Sequence, residues 1–228
     1  MLRPGDTLLA ATGAPYDTLH QVIGIGGQPA GGSLREFGVG YRETPLDENG
    51  RPDLPAIRQA LQEDESIRLV HIQRSRGYSL RPSLTVEAIG EIIEAVRAVR
   101  PQAVVFVDNC YGEFVEKTEP TAVGADLMAG SLIKNPGGGI AENGGYICGR
   151  AELVEQCAYR MTTPGLGREV GASLGHNRTL YMLSLIHISG DAAALGPHHL
   201  KTAEVMIAAA ADKSGDILSG LALSLIHI

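Results

Sequence analysis

Ala103-Val104-Val105-Phe106-Val107-Asp108-Asn109 decides the fold. Apolar side chains at every position, not at alternate ones, describe a strand covered on both faces, and such strands belong to parallel sheets held between helices. The run stops abruptly at a carboxylate and an amide, and open parallel sheets place their ligands just outside such carboxyl ends. Outward from it, Thr7 to Ala11, Ile67 to Gln73 and Asp126 to Ala129 read as further buried strands bounded by loop residues. From Val86 to Val99 the apolar residues Ile89, Ile92, Ile93, Val96 and Val99 recur at three- and four-residue steps, with Glu87, Glu91, Glu94 and Arg97 on the other side, until Arg100-Pro101 ends the pattern. Asp53 to Gln62 and Pro15 to Val22 are shorter helical candidates. Strands alternating with helices predict an α/β architecture with a mostly parallel sheet.

The 228 residues are 44% hydrophobic and 20% charged, which suits a protein with a packed core. The formal net charge of -7 leaves no general basic field for a nucleic-acid backbone, so no nucleic-acid partner is expected. No apolar stretch reaches the roughly 18 residues that span a bilayer, and Met1-Leu2-Arg3-Pro4-Gly5-Asp6 has no signal-peptide core. A cytoplasmic protein without a membrane partner is the expectation. Cys110, Cys148 and Cys157 form no CxxC pair and read as small buried residues, not as metal ligands. Glycine, 29 residues, is roughly twice as frequent as usual and clusters in loops, as around a ligand.

The densest cluster is Gly130-Ser131-Leu132-Ile133-Lys134-Asn135-Pro136-Gly137-Gly138-Gly139-Ile140, followed by Gly144-Gly145-Tyr146-Ile147-Cys148-Gly149. A lysine between apolar residues and a glycine turn is partly desolvated, which lowers its pKa and frees its amine for Schiff-base chemistry. Asp108, at the end of the preceding strand, suits the ring nitrogen of pyridoxal phosphate, and the Ser131 hydroxyl suits a phosphate. Both strand ends should meet in one crevice.

Val107-Asp108-Asn109-Cys110-Tyr111, Pro120, Gly124-Ala125-Asp126-Leu127 and Ser131-Leu132-Ile133-Lys134 resemble, in order and spacing, the cofactor segment of fold-type I pyridoxal-phosphate enzymes of the cystathionine γ-synthase and methionine γ-lyase group. With His71-Ile72-Gln73-Arg74-Ser75-Arg76-Gly77-Tyr78 added, the chain is similar to the branch called the methionine γ-lyase or aluminium resistance protein family, from about Leu2 to about Leu180. The resemblance implies the large domain of that fold and pyridoxal 5'-phosphate as cofactor. Lys134 would form the Schiff base, Asp108 would pair with the ring nitrogen, Ser131 would touch the phosphate and Tyr16 would stack on the ring. Gln73, Arg74 and Arg76 would face substrate or a neighbouring subunit, or else be solvated. The implied reaction is β- or γ-elimination from a sulfur amino acid, which for methionine gives methanethiol, 2-oxobutanoate and ammonia. Homodimers or homotetramers are implied for the intact family.

The sequence departs from the group in three places. Its phosphate loop should precede Leu2, its carboxylate-binding arginine should lie in a small C-terminal domain expected to be missing here, and Asn135-Pro136-Gly137 stands where the better known lyases carry a histidine. Leu183-Ser184-Leu185-Ile186-His187-Ile188 recurs as Leu223-Ser224-Leu225-Ile226-His227-Ile228, and reads as a sequence-assembly artefact more than a repeat unit. The expected organisation is thus a partial cofactor domain over 1–182 and a tail of little functional weight over 183–228, in a chain truncated at both ends. An aminotransferase, an inactive fragment of such an enzyme, and a nucleotide-binding module suggested by Gly24-Ile25-Gly26-Gly27-Gln28-Pro29 are the other readings.

Overall fold

A computed structural model describes residues 1–27, 31–136 and 144–167, and the backbone of 206–208. One sheet runs through these residues. Its strands are β1 (Thr7–Ala10), β2 (Gly40–Glu43), β3 (Ile67–Gln73), β4 (Val104–Asp108), β5 (Leu127–Ser131), β6 (Gly145–Gly149) and β7 (Met206–Ala208). The order across it is β2-β1-β3-β4-β5-β6-β7. Pairing is parallel from β2 to β5 and antiparallel from β5 through β7, so the mostly parallel α/β sheet expected from the sequence is the one found.

Helices α1 (Asp17–Ile23), α2 (Leu54–Glu63), α3 (Val86–Val99) and α4 (Ala151–Met161) cover the sheet on both sides. Leu9, Val70, Ile72, Val105 and Val107 pack with Ile57 and Leu61 of α2 and Ile89, Ile92 and Val96 of α3. Leu8, Leu69, Phe106, Leu127 and Ala129 pack on the opposite face with Leu19 and Ile23 of α1 and Leu153, Val154 and Cys157 of α4. Burying each of these larger side chains stabilises the fold by roughly 1.5–3 kcal/mol at most. The double coverage explains why β3 and β4 lack polar alternation.

Local chemistry sets the boundaries. Asp53 lies outside α2 and caps it, its carboxylate accepting from the Ala56 N–H at 3.0 Å. Thr85 caps α3 by accepting from the Ala88 N–H at 3.1 Å. Helix α1 begins two residues later than expected and ends at Gly24, whose φ of 89° is the left-handed conformation that glycine adopts without strain. The glycine run that suggests a nucleotide loop is, as far as Gly27, the stop of α1 and the turn after it; Gln28 and Pro29 lie outside the described residues. Strand β5 extends to Ser131, two residues past the expected end. Strands β2, β6 and β7 and helix α4 were not expected from the sequence.

Cys110, Cys148 and Cys157 are free and buried, as expected. Among the described residues, no helix is long and apolar enough to cross a membrane. The duplicated hexamers at 183–188 and 223–228 lie outside the described residues.

Candidate active site

Register gathers the expected residues. Gln73 of β3 sits opposite Asp108 of β4, and Asp108 opposite Ala129 of β5, two residues before Ser131. Because side chains alternate along a strand, His71, Gln73, Asp108 and Ser131 share the face of Leu69, Phe106 and Ala129. The two strand ends lie side by side at the carboxyl edge of the parallel sheet.

Lys134 follows β5 by three residues and is half-buried, with its Nζ 4.7 Å from the centroid of the Tyr111 ring. It forms no ion pair among the described residues. Burial pulls its pKa down, but Cys110, Asp108 and Tyr111 together pull it up, and the net direction is upward. The expected fall is thus reversed: the carboxylate and the sulfur beside the amine outweigh partial desolvation. Asp108 is 8% exposed, and its Oδ1 accepts from the Cys110 N–H at 3.1 Å. Ser131 is buried; its Oγ accepts from the Ile133 N–H at 3.3 Å, which leaves the hydroxyl hydrogen to donate elsewhere.

Tyr16 is placed at the same edge through Gln73. Its N–H donates to Gln73 Oε1 at 2.7 Å, and its ring lies 5.3 Å from that of Tyr78, tilted by 33°. Gln73 also donates from Nε2 to Ser75 O at 3.0 Å. Arg74, by contrast, is not solvated. It is 3% exposed and its guanidinium donates to Asn109 Oδ1 at 2.8 Å, Glu116 at 2.7 Å and Glu119 at 3.2 Å. The surrounding carboxylates make it a buried structural cation. Arg76 is exposed in the following turn.

Several residues to which the sequence reading assigned no role in the site stand here. Cys110 lies beside both Asp108 and Lys134, and burial pushes its thiol well up, with Asp108 adding to the rise and Lys134 opposing it. Tyr111 and Phe114 hold φ values of 66° and 62°, a conformation unusual for non-glycine residues, so the turn after β4 is tightly constrained. Inside that turn Glu113 is buried, its Oε1 accepting from the Tyr146 hydroxyl at 3.0 Å and its backbone carbonyl from Asn135 Nδ2 at 3.1 Å. The turn therefore both presents Tyr111 to Lys134 and fixes the residue after Lys134. His71 is wholly buried, and neither of its ring nitrogens has a hydrogen-bond partner among the described residues. Only Tyr111 offered a visible signal, as an aromatic three residues past the Asp108 carboxylate.

The sequence profile of the methionine gamma-lyase family matches residues 1–212. The chain belongs to the methionine gamma-lyase family. Among its relatives, the uncharacterised protein YnbB of Bacillus subtilis strain 168 is 51% identical over 181 residues, 79% of this chain and 42% of that protein. An uncharacterised 33.9 kDa protein from the glnA 5' region of Lactobacillus delbrueckii subsp. bulgaricus is 48% identical over 180 residues, 78% of this chain and 58% of that protein. Among the solved structures that share the fold, two serve as examples. One, a candidate cystathionine beta-lyase involved in aluminium resistance from Listeria monocytogenes, is 53% identical with a TM-score of 0.75, covering 82% of this chain and 45% of that one. The other, a carbon-sulfur lyase involved in aluminium resistance from Clostridium novyi NT, is 52% identical with a TM-score of 0.74, covering 80% and 44%. The chain thus spans about half the length of these family members.

Proposed function

We propose that the chain carries the cofactor-binding part of a pyridoxal-phosphate-dependent carbon–sulfur lyase that eliminates a β- or γ-substituent from a sulfur amino acid. The observation that carries the proposal is the convergence of Lys134, Asp108 and Ser131 at the ends of two adjacent parallel strands. The printed descriptions of the solved relatives from Listeria and Clostridium support the same class of reaction.

The residues present fit this cofactor. An amine half-buried and, among the described residues, without an ion pair, a carboxylate on the next strand end, a hydroxyl with its hydrogen to spare and an aromatic ring at the rim match, group for group, an aldehyde, a ring nitrogen, a phosphate and a ring face. Pyridoxal phosphate, when bound, supplies a carbonyl that captures amines and a protonated ring that accepts the electron pair released at Cα. Lys134 Nζ would hold it covalently. Asp108 would keep the proton on the facing ring nitrogen, Ser131 would donate to the phosphate, and Tyr16 would cover the ring. Once released by an incoming amino acid, Lys134 would move the Cα proton. Because Lys134 is held as an ammonium by its neighbours, it must lose a proton before it bonds, so capture should quicken from neutral to mildly alkaline pH.

Borohydride trapping tests this. Pyridoxal phosphate added to the purified chain should give a yellow species which, once reduced and mapped by peptide mass spectrometry, marks Lys134, and Lys134→Ala should lose it. An adduct distributed over other lysines would overturn the proposal. With methionine or cystathionine as substrate, release of a thiol with a keto acid and ammonia supports the lyase; a pyridoxamine form that needs a second keto acid would assign an aminotransferase instead. Assembly into homodimers or homotetramers belongs to the proposal and is checked by sedimentation of the loaded protein.

A further inference from the structure

His71 lies in the middle of β3 on the face that bears Asp108, directly opposite Phe106, whose ring centroid is 5.7 Å away. Two residues along the same register is Gln73, opposite Asp108, so His71 and Asp108 are diagonal neighbours on adjacent strands. The imidazole is 0% exposed, and both Nδ1 and Nε2 lack partners among the described residues. An apolar residue would fill this place between Leu69, Phe106 and Ala10 without leaving two polar atoms unpaired. Burial holds the ring neutral, pulling its pKa down to about 4, and the Asp108 carboxylate is the principal charge acting against that shift, with the Arg81 guanidinium adding to it. A neutral imidazole has one N–H to donate, and Asp108 is the carboxylate that acts on this ring from the same sheet face. Hydrogen bonds behind a reacting group are commonly long in an unloaded site and close on loading.

We propose that His71 is a positioning residue for Asp108: its ring N–H closes onto the Asp108 carboxylate when that carboxylate engages a cationic ring nitrogen, fixing its orientation from behind. The inference rests on the proposed cofactor. An imidazole kept for this purpose weakens the unloaded fold and strengthens cofactor binding, two effects that a packing residue would not show in opposite directions.

The test compares His71→Leu and His71→Gln with the wild-type chain, measuring thermal unfolding without cofactor, pyridoxal phosphate affinity by absorption titration, and the absorption maximum of the bound form. The expected result is that His71→Leu melts at or above the wild-type temperature when unloaded, binds the cofactor about ten- to a hundred-fold more weakly, and shifts the maximum, whereas His71→Gln, which keeps an N–H donor, recovers most of the affinity and the wild-type maximum. If His71→Leu does not fold, His71→Gln decides: a wild-type maximum supports the role, and a shifted maximum with the affinity lost overturns it. Variants that match wild type in affinity and spectrum overturn this inference alone. A wild-type chain that captures no pyridoxal phosphate overturns the functional reading and this inference with it.

Discussion

At the residue scale, Glu113 is the most exposed to a change of conditions, although it is nearly invisible to solvent. Its carboxyl is 4% exposed, Oε2 has no partner among the described residues, and burial pushes its pKa up to about 7, with Asp108 and Glu119 adding to the rise and the Tyr146 hydroxyl opposing it. The folded state therefore prefers the protonated form. For a carboxyl raised in this way, the associated stability is fully present below the unfolded value of 4.5 and is lost as pH rises through about 7. Against Glu113→Gln, which cannot ionise, the wild-type chain should lose on the order of 3 kcal/mol between acid and mildly alkaline pH. Urea unfolding of both proteins across that range checks it; parallel curves would mean that Glu113 ionises without penalty. Because Asn135 hangs from the Glu113 carbonyl, the same titration should loosen the turn that carries Lys134. None of this was legible in the sequence. Asp108, Ser131 and Lys134 stood out because polar groups at the ends of apolar strands are conspicuous, whereas Glu113, Cys110 and His71 matter through what surrounds them, and only the folded chain supplies that.

At the scale of elements, the best-read pieces were those whose burial is written into every residue. Strand β3 and helix α3 have the boundaries expected from their patterns, because a continuous apolar run and a three-four repeat are each hard to satisfy otherwise. Strand β2, Gly40-Tyr41-Arg42-Glu43, escaped because it is the partly exposed edge of the sheet and shows no apolar run. Strand β6 escaped because glycines open and close it; Gly149 lies so close to the Asp126 carbonyl that a Cβ there would collide with it. Helix α4 carries only a narrow buried stripe of Leu153, Val154, Cys157 and Ala158 and has no side-chain cap. Helix α3 is different, since its start depends on Thr85. Thr85→Ala should cost about 1 kcal/mol, as the Ala88 N–H loses its side-chain acceptor. Its midpoint in urea should fall while the slope stays the same; an unchanged midpoint would show that solvent replaces the cap fully. Glu116 also accepts from the Val86 N–H at 2.9 Å, so a second group already serves this helix end, which sets the expected cost at the modest end of the range.

Across the whole molecule, the Asp126 ion-pair cluster and the proposed site occupy opposite ends of the parallel strands. At the end away from Lys134, the Asp126 carboxylate accepts from Arg97 of α3 at 2.5 Å, from the Val105 N–H at the start of β4 at 2.7 Å, and from Arg150, the cap of α4, at 3.3 Å. One buried side chain thereby joins the helix on one face, the central strand and the helix on the other face. Both arginines keep partial exposure, which screens the ion pairs, but the Val105 N–H is buried and would be left without its acceptor. Asp126→Ala should therefore destabilise the chain by about 3 kcal/mol, near the lower end of what breaking a buried pair costs. Since Asp126 touches none of Lys134, Asp108, Ser131 or Tyr16, the fraction of folded molecules trapped by borohydride at Lys134 should equal that of wild type at low temperature, where both are folded. Urea midpoints and trapped mass per folded chain measure the two effects separately. A variant that keeps its stability would show that the helices are held by their apolar faces alone, and one that loses trapping while still folded would show that the two ends of the strands are coupled through β4 and β5.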